Sequence, residues 1–178
     1  MRDVDKRLQV RRRVLLRGTA AAPAAIALAG TGSTAIAADT RNLKPEAMNT
    51  LVKAARDIYP HDSFPERFYV AAVVGYDDQA GANAQLKTLI DEGVAALNAE
   101  SHKRFNRDYV AVASEEQRVE VLKAQQDSAF FKKLRGDLVV SLYNQHDVWT
   151  KLGYEGPSWE KGGYLERGFN DIDWLPEG

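Results

Sequence analysis

The chain has no cysteine among its 178 residues, so no disulfide staples it and no thiolate can hold zinc or an iron–sulfur cluster. The same absence excludes the C-x-x-C-H attachment of a c-type haem, and stability has to come from packing. A long apolar run is also missing. Crossing a bilayer takes about 20 predominantly apolar residues, and the best stretch, Gly18 to Ala29, is shorter than that and contains Pro23. No segment alternates with the period of two that marks a half-buried strand. There is no G-x-G-x-x-G turn, P-loop, G-x-S-x-G elbow or H-E-x-x-H helix, and Gly162-Gly163 lacks both the spacing and the strand of a nucleotide-binding turn. The sequence therefore offers little to an enzyme reading and no cofactor site of its own.

What is present starts with charge. The 24 Lys and Arg are balanced by 25 Asp and Glu, but seven of the bases and only two of the acids precede residue 38. That leaves 17 against 23, so residues 38–178 carry a net charge near −6. Such a balance favours neither nucleic acid nor an anionic membrane surface as partner. At 141 residues, this part is expected to form one domain with a core of its own.

Residues 1–37 have the three parts of an export signal. A basic head, with Arg2, Lys6, Arg7 and Arg11 to Arg13, leads into an alanine-rich middle that ends at Ala35-Ile36-Ala37. Small residues at Ala35 and Ala37 suit a signal peptidase, which predicts cleavage before Ala38. Arg12, Arg13, Leu15, Leu16 and Arg17 resemble the twin-arginine pattern: paired arginines, one free position, two apolar residues and a base. Arg11 stands where that pattern prefers Ser or Thr. Such signals are receptor-read addresses rather than anchors, and the pathway this one resembles carries proteins already folded. The location implied is the periplasm.

From Pro45 on, the apolar spacing is helical. Met48, Leu51, Val52, Ala55, Ile58 and Tyr59 predict a helix from Pro45 to Tyr59, stopped by Pro60. Phe68, Ala72, Val73 and Tyr76 predict a second, from Pro65 to near Asp77, with Asp78 to Gln85 as a loop around Gly81. Leu86, Leu89, Ile90, Gly93, Val94 and Leu97 form the clearest amphipathic stripe, and Phe105, Tyr109 and Val110 belong to a less regular connection. Ser114-Glu115-Glu116-Gln117 has the form of a capping box, opening a short helix that buries Val119, Leu122 and Ala124. A last helix, Ser128 to Tyr143, carries Phe131, Leu134, Leu138 and Leu142. The fold class expected is all-α, a small helical domain over 38–178 with a long irregular segment at 144–178.

That last segment holds all three tryptophans, six of the 13 glycines and two of the six prolines. It is read as unable to hold a regular helix and too aromatic for ordinary disorder. Ordering a glycine-rich chain costs entropy that burial must offset, and aromatic groups supply about 150–250 Å² each. Two fates follow: the segment completes the core, or it lies in another protein's groove, where Trp and Tyr are enriched. The candidate interface residues are Trp149, Tyr154, Trp159, Tyr164, Phe169 and Trp174.

Phe130-Phe131-Lys132-Lys133-Leu134-Arg135, then Leu142-Tyr143 and Lys151-Leu152-Gly153-Tyr154-Glu155-Gly156, resemble the gluconate 2-dehydrogenase subunit 3 family. The opening helix running into Ile58-Tyr59-Pro60 is similar to that family's start. Gln145-His146-Asp147 departs from the glycine pair and asparagine of the gluconate branch, and Gly156-Pro157-Ser158-Trp159 through Trp174-Leu175-Pro176 looks like another branch. The resemblance implies a non-catalytic small subunit. Its partners would be a flavin-dependent catalytic subunit of the glucose-methanol-choline type, holding FAD, and a multihaem cytochrome c, holding haem c. Two other readings stay open. One is a free-standing metal-dependent enzyme built on His61, Asp62, His146 and Asp147, since imidazole and carboxylate suit zinc, iron or manganese. The other is a sugar-binding module using the aromatic tail as a platform.

Overall fold

The computed structural model describes residues 40–165. The expectations placed on Arg12 to Arg17, Ala35 to Ala38, Phe169 and Trp174 lie outside them. The described residues are all-α: α1 (Pro45–Ile58), α2 (Glu66–Val73), α3 (Gly75–Ala82), α4 (Ala84–Phe105), α5 (Glu115–Ala124), α6 (Ala129–Ser141) and α7 (His146–Leu152). Short 3₁₀ turns sit at Tyr109–Ala111 and Ser158–Lys161. No helix among them is long and apolar enough to cross a membrane.

Helix α1 is the spine. It buries Ala47, Met48, Leu51, Val52, Ala54 and Ala55 and packs against α2, α4, α5 and α6. Thr50 and Asp57 are buried on it as well, so most of its circumference is covered, and the alanines let four neighbours approach it. Pro45 starts it, where a missing N–H costs nothing. On α4, Leu86, Ile90, Gly93, Val94 and Leu97 face the core as their spacing requires. Asn83 caps that helix, accepting the Leu86 N–H at 3.0 Å, and Asn106 ends it in the left-handed conformation that asparagine tolerates.

Three details correct the sequence reading. The stretch read as a loop, Asp78 to Gln85, is helical to Ala82 and again from Ala84. Its cause is long-range: the Asp77 carboxylate accepts backbone N–H groups of Arg41, Asn42 and Leu43 at 2.9, 3.0 and 2.7 Å. Gly81 permits this, because a Cβ there would lie 2.7 Å from the Asn42 side chain. Second, α5 buries Arg118 and Val121 beside Leu122, while Val119 is half-buried and Ala124 exposed. Third, His146–Leu152 is a helix in a segment read as unable to hold one. The glycines there follow the helix rather than interrupt it, and Val148 is fully buried. Smaller adjustments are that Phe130 goes deeper than Phe131 and that Phe105 ends α4.

The burial of Arg118 has a partner. Its Nε and Nη2 donate to the two Asp57 carboxylate oxygens at 2.7 and 2.8 Å, and Nη1 donates to the Val112 and Ala113 carbonyls at 2.8 and 2.9 Å. The Tyr109 hydroxyl adds a 2.6 Å bond to Asp57. Burial, then the Asp57 charge, pushes the Tyr109 phenol far above its ordinary value. The network ties α1, the 3₁₀ turn and α5 together.

Candidate partner interface

Helix α7 leaves the end of α6 and is held by backbone carbonyls. Gln145 Nε2 donates to the Phe68 and Ser141 carbonyls at 3.0 and 2.9 Å, and Trp149 Nε1 donates to the Tyr143 carbonyl at 2.6 Å. The helix stops in a Schellman motif. Gly153 takes φ 74°, its N–H reaches the Thr150 carbonyl at 3.4 Å, and the Tyr154 N–H returns to the Trp149 carbonyl at 2.9 Å. The apolar contact expected across such a cap is present: Tyr154 meets Trp149 edge-on at 5.4 Å. His146 stacks on that indole at 4.3 Å. A side chain at position 153 would strain the left-handed backbone and loosen this knot.

The reversal repeats nine residues on. Ser158–Lys161 ends at Gly162 and Gly163, both with positive φ, and the Gly163 N–H returns to the Ser158 carbonyl at 2.8 Å. Here the aromatic group is not turned inward. Trp159 is 77% exposed, Tyr164 71% and Leu165 88%. Leu152 and Tyr154 are about half exposed. The candidate interface residues thus divide. Trp149 is spent inside the chain, Tyr154 is shared, and Trp159 and Tyr164 face solvent. Of the two fates weighed for the tail, packing into the chain is seen at Trp149, while Trp159 and Tyr164 are left exposed.

A second aromatic group backs this region. His61 Nε2 lies 2.7 Å from the Tyr143 hydroxyl, and the His61 ring stacks on Phe64 at 4.1 Å. Tyr59 meets Tyr143 edge-on at 5.7 Å and donates to the Arg135 carbonyl at 3.2 Å. Burial, then the neighbouring Tyr59, raises the Tyr143 phenol. The turn after α1 is therefore clamped to the end of α6, bringing together two of the segments singled out in the sequence, Ile58-Tyr59-Pro60 and Leu142-Tyr143.

The two His-Asp pairs do not assemble. His61 is engaged by Tyr143, His146 by Trp149, and Asp147 faces Arg67 at 3.9 Å. Among the described residues no group of three or more His, Cys, Asp and Glu could hold a metal ion. His102 is exposed and bonded to Asp108 at 2.8 Å.

Sequence reasoning missed the outer face of α6. Gly136, Val139 and Val140 lie there in the open, and the signal was available: they fall outside the Leu134, Leu138, Leu142 register that the same helix buries. The chain matches no family model, no curated protein and no solved structure.

Proposed function

We propose that this chain is the non-catalytic small subunit of a periplasmic, membrane-associated FAD-dependent dehydrogenase acting on a sugar, sugar acid or polyol. It escorts the flavoprotein subunit through twin-arginine export and stabilises it afterwards. FAD belongs to that glucose-methanol-choline-type partner, and a multihaem cytochrome c takes the electrons onward.

The observation that carries the reading is the exposure of Trp159, Tyr164 and Leu165, large apolar side chains held at 71–88% exposure on either side of the second glycine reversal. Groups of this size each remove about 150–250 Å² from water when buried. A chain that leaves them outside while packing Trp149 and Val148 inside has binding surface to offer. The export pattern at Arg12 and Arg13, on a chain whose own sequence holds no cofactor motif, supports the same reading.

The exposed Trp159 also fits a sugar-binding module. That reading predicts sugar-dependent tryptophan fluorescence from residues 38–178 alone, whereas a subunit responds only to its partner. For the escort role, the test is Arg12→Lys with Arg13→Lys in cells that also make the flavoprotein. Both proteins should stay in the cytoplasm, and normal delivery of the flavoprotein overturns the proposal.

A further inference from the structure

Helix α6 has an inner face of Phe130, Leu134 and Leu138, all buried, and an outer face that nothing among the described residues covers. On the outer face Val139 is 52% exposed and Val140 65%. Gly136 stands one turn before them, and a Cβ at that position would meet nothing within 4 Å. Grooves run along both flanks of this ridge. One, of about 540 Å³, is walled by Tyr59, Phe131, Arg135 and Val139. The other, of about 360 Å³, is walled by Ala72, Tyr76, Val140 and Ser141. Gly136 lies on both. Ser141 Oγ, on the second, is buried without a hydrogen-bond partner among the described residues.

The glycine sharpens the point. A mid-helix glycine is destabilising by about 0.5–1 kcal/mol relative to alanine, so it calls for a reason. Gly93 on α4 has an internal one: a Cβ there would collide with the Phe130 ring. Gly136 has none among the described residues. Its smallness serves an approach from outside, closer than the 8–10 Å between ordinary helix axes would otherwise permit.

Charge selects the occupant. Lys132, Lys133 and Arg135 place three bases within four residues of a domain whose net charge is near −6. Lys133 is paired with Asp137 at 2.9 Å and Lys132 faces Asp127 at 3.8 Å, while Arg135 has no ion pair among the described residues. A second copy of α6 would set these bases against one another. Asp127 and Asp137 also line the two grooves, so the basic surplus rests on Arg135; an apolar ridge with that surplus fits an amphipathic helix that carries acids beside its apolar stripe, the helix-in-groove mode of recognition. We propose that the outer face of α6, centred on Gly136, Val139 and Val140 and bordered by Lys132 and Arg135, seats an acidic amphipathic helix of the flavoprotein subunit. This rests on the subunit reading above.

The absence of cysteine makes the test direct, because Val139→Cys introduces the only thiol in the chain. The full chain carrying Val139→Cys is co-expressed with the flavoprotein, identified by its bound flavin and by mass spectrometry. Maleimide labelling of the complex is then compared with that of the free mature chain. Lys103→Cys, at an exposed position on α4, is the control. Labelling at position 139 should slow at least tenfold in the complex while position 103 is unchanged. Equal labelling of complex and free chain overturns the proposal and leaves the subunit reading intact. Slow labelling in the free chain overturns it too, assigning the face to residues 166–178 if independent of concentration and to a second copy if not. Failure of any flavoprotein to pair with wild type overturns both readings. Lys132→Glu with Arg135→Glu should weaken pairing at least tenfold at low salt, and unchanged pairing rules out the acidic occupant.

Discussion

Arg118→Met is the single substitution that most directly probes why this fold holds. Methionine keeps a good helix former and much of the volume in α5, but it removes the four hydrogen bonds that the guanidinium makes to Asp57, Val112 and Ala113. The Asp57 carboxylate is left buried with the Tyr109 hydroxyl, at 2.6 Å, as its remaining donor among the described residues. Removing one member of a buried ion pair costs about 3–5 kcal/mol, a large share of the roughly 5–15 kcal/mol that stabilises a typical domain. With a urea slope of about 2 kcal/mol/M, the unfolding midpoint of residues 38–178 should fall by roughly 2 M, read by far-UV circular dichroism. The triple variant Asp57→Leu, Tyr109→Phe, Arg118→Met removes both charges and the phenol, and it should recover most of the loss, because a well-packed apolar replacement of a buried pair is often neutral. A loss below about 1 kcal/mol in Arg118→Met, or a triple variant no more stable than the single one, refutes the reasoning that an uncompensated buried charge is what the substitution exposes.

Two further outcomes separate packing from binding and set a pH dependence. Trp149→Ala should cost about 2 kcal/mol, since it empties a half-buried site, and Trp159→Ala should stay within about 0.5 kcal/mol; thermal melts of the two read the contrast, and equal losses would count against the division of the tail into inner and outer aromatics. Burial alone would raise the Asp77 carboxyl, but the N–H groups of Arg41, Leu43 and Asn42 outweigh it and hold it below the ordinary carboxylate value. A group depressed on folding contributes above its unfolded value, near 4 for Asp, and loses that contribution as pH falls through the folded value. Asp77→Asn should therefore be less stable than wild type at pH 7, with the gap narrowing as the solution is acidified below about 4. A gap that widens on acidification contradicts this.

The all-α class, the core stripes of α1 and α4 and the start of α5 were legible because each is a local pattern: apolar spacing, Pro45 at a first turn, Ser114 before a helix. Ser114 Oγ accepts the Gln117 N–H at 3.3 Å as a capping box requires, although its own proton goes to Glu116 at 2.6 Å. What escaped notice depends on residues far apart in the chain. Asp57 and Arg118 are 61 positions apart, and a buried charge is invisible to a method that assigns charges to the surface. Asp77 turns a polar, glycine-containing stretch into helix by reaching back 34 to 36 residues, a tertiary override of local propensity.

Glycine shows the limit most clearly. Read along the sequence, glycine is punctuation, and 153, 156, 162 and 163 do mark reversals, each with positive φ. Gly81 and Gly93 are helical, placed where Asn42 and Phe130 leave no room for a Cβ. Gly136 shares their helical setting without their crowding. The first group answers to backbone geometry, the second to a neighbour within the fold, and the third to neither. A residue whose cost is met by no contact among the described residues points outward, which is why the proposed docking is placed on the outer face of α6 and not on the aromatic tail alone.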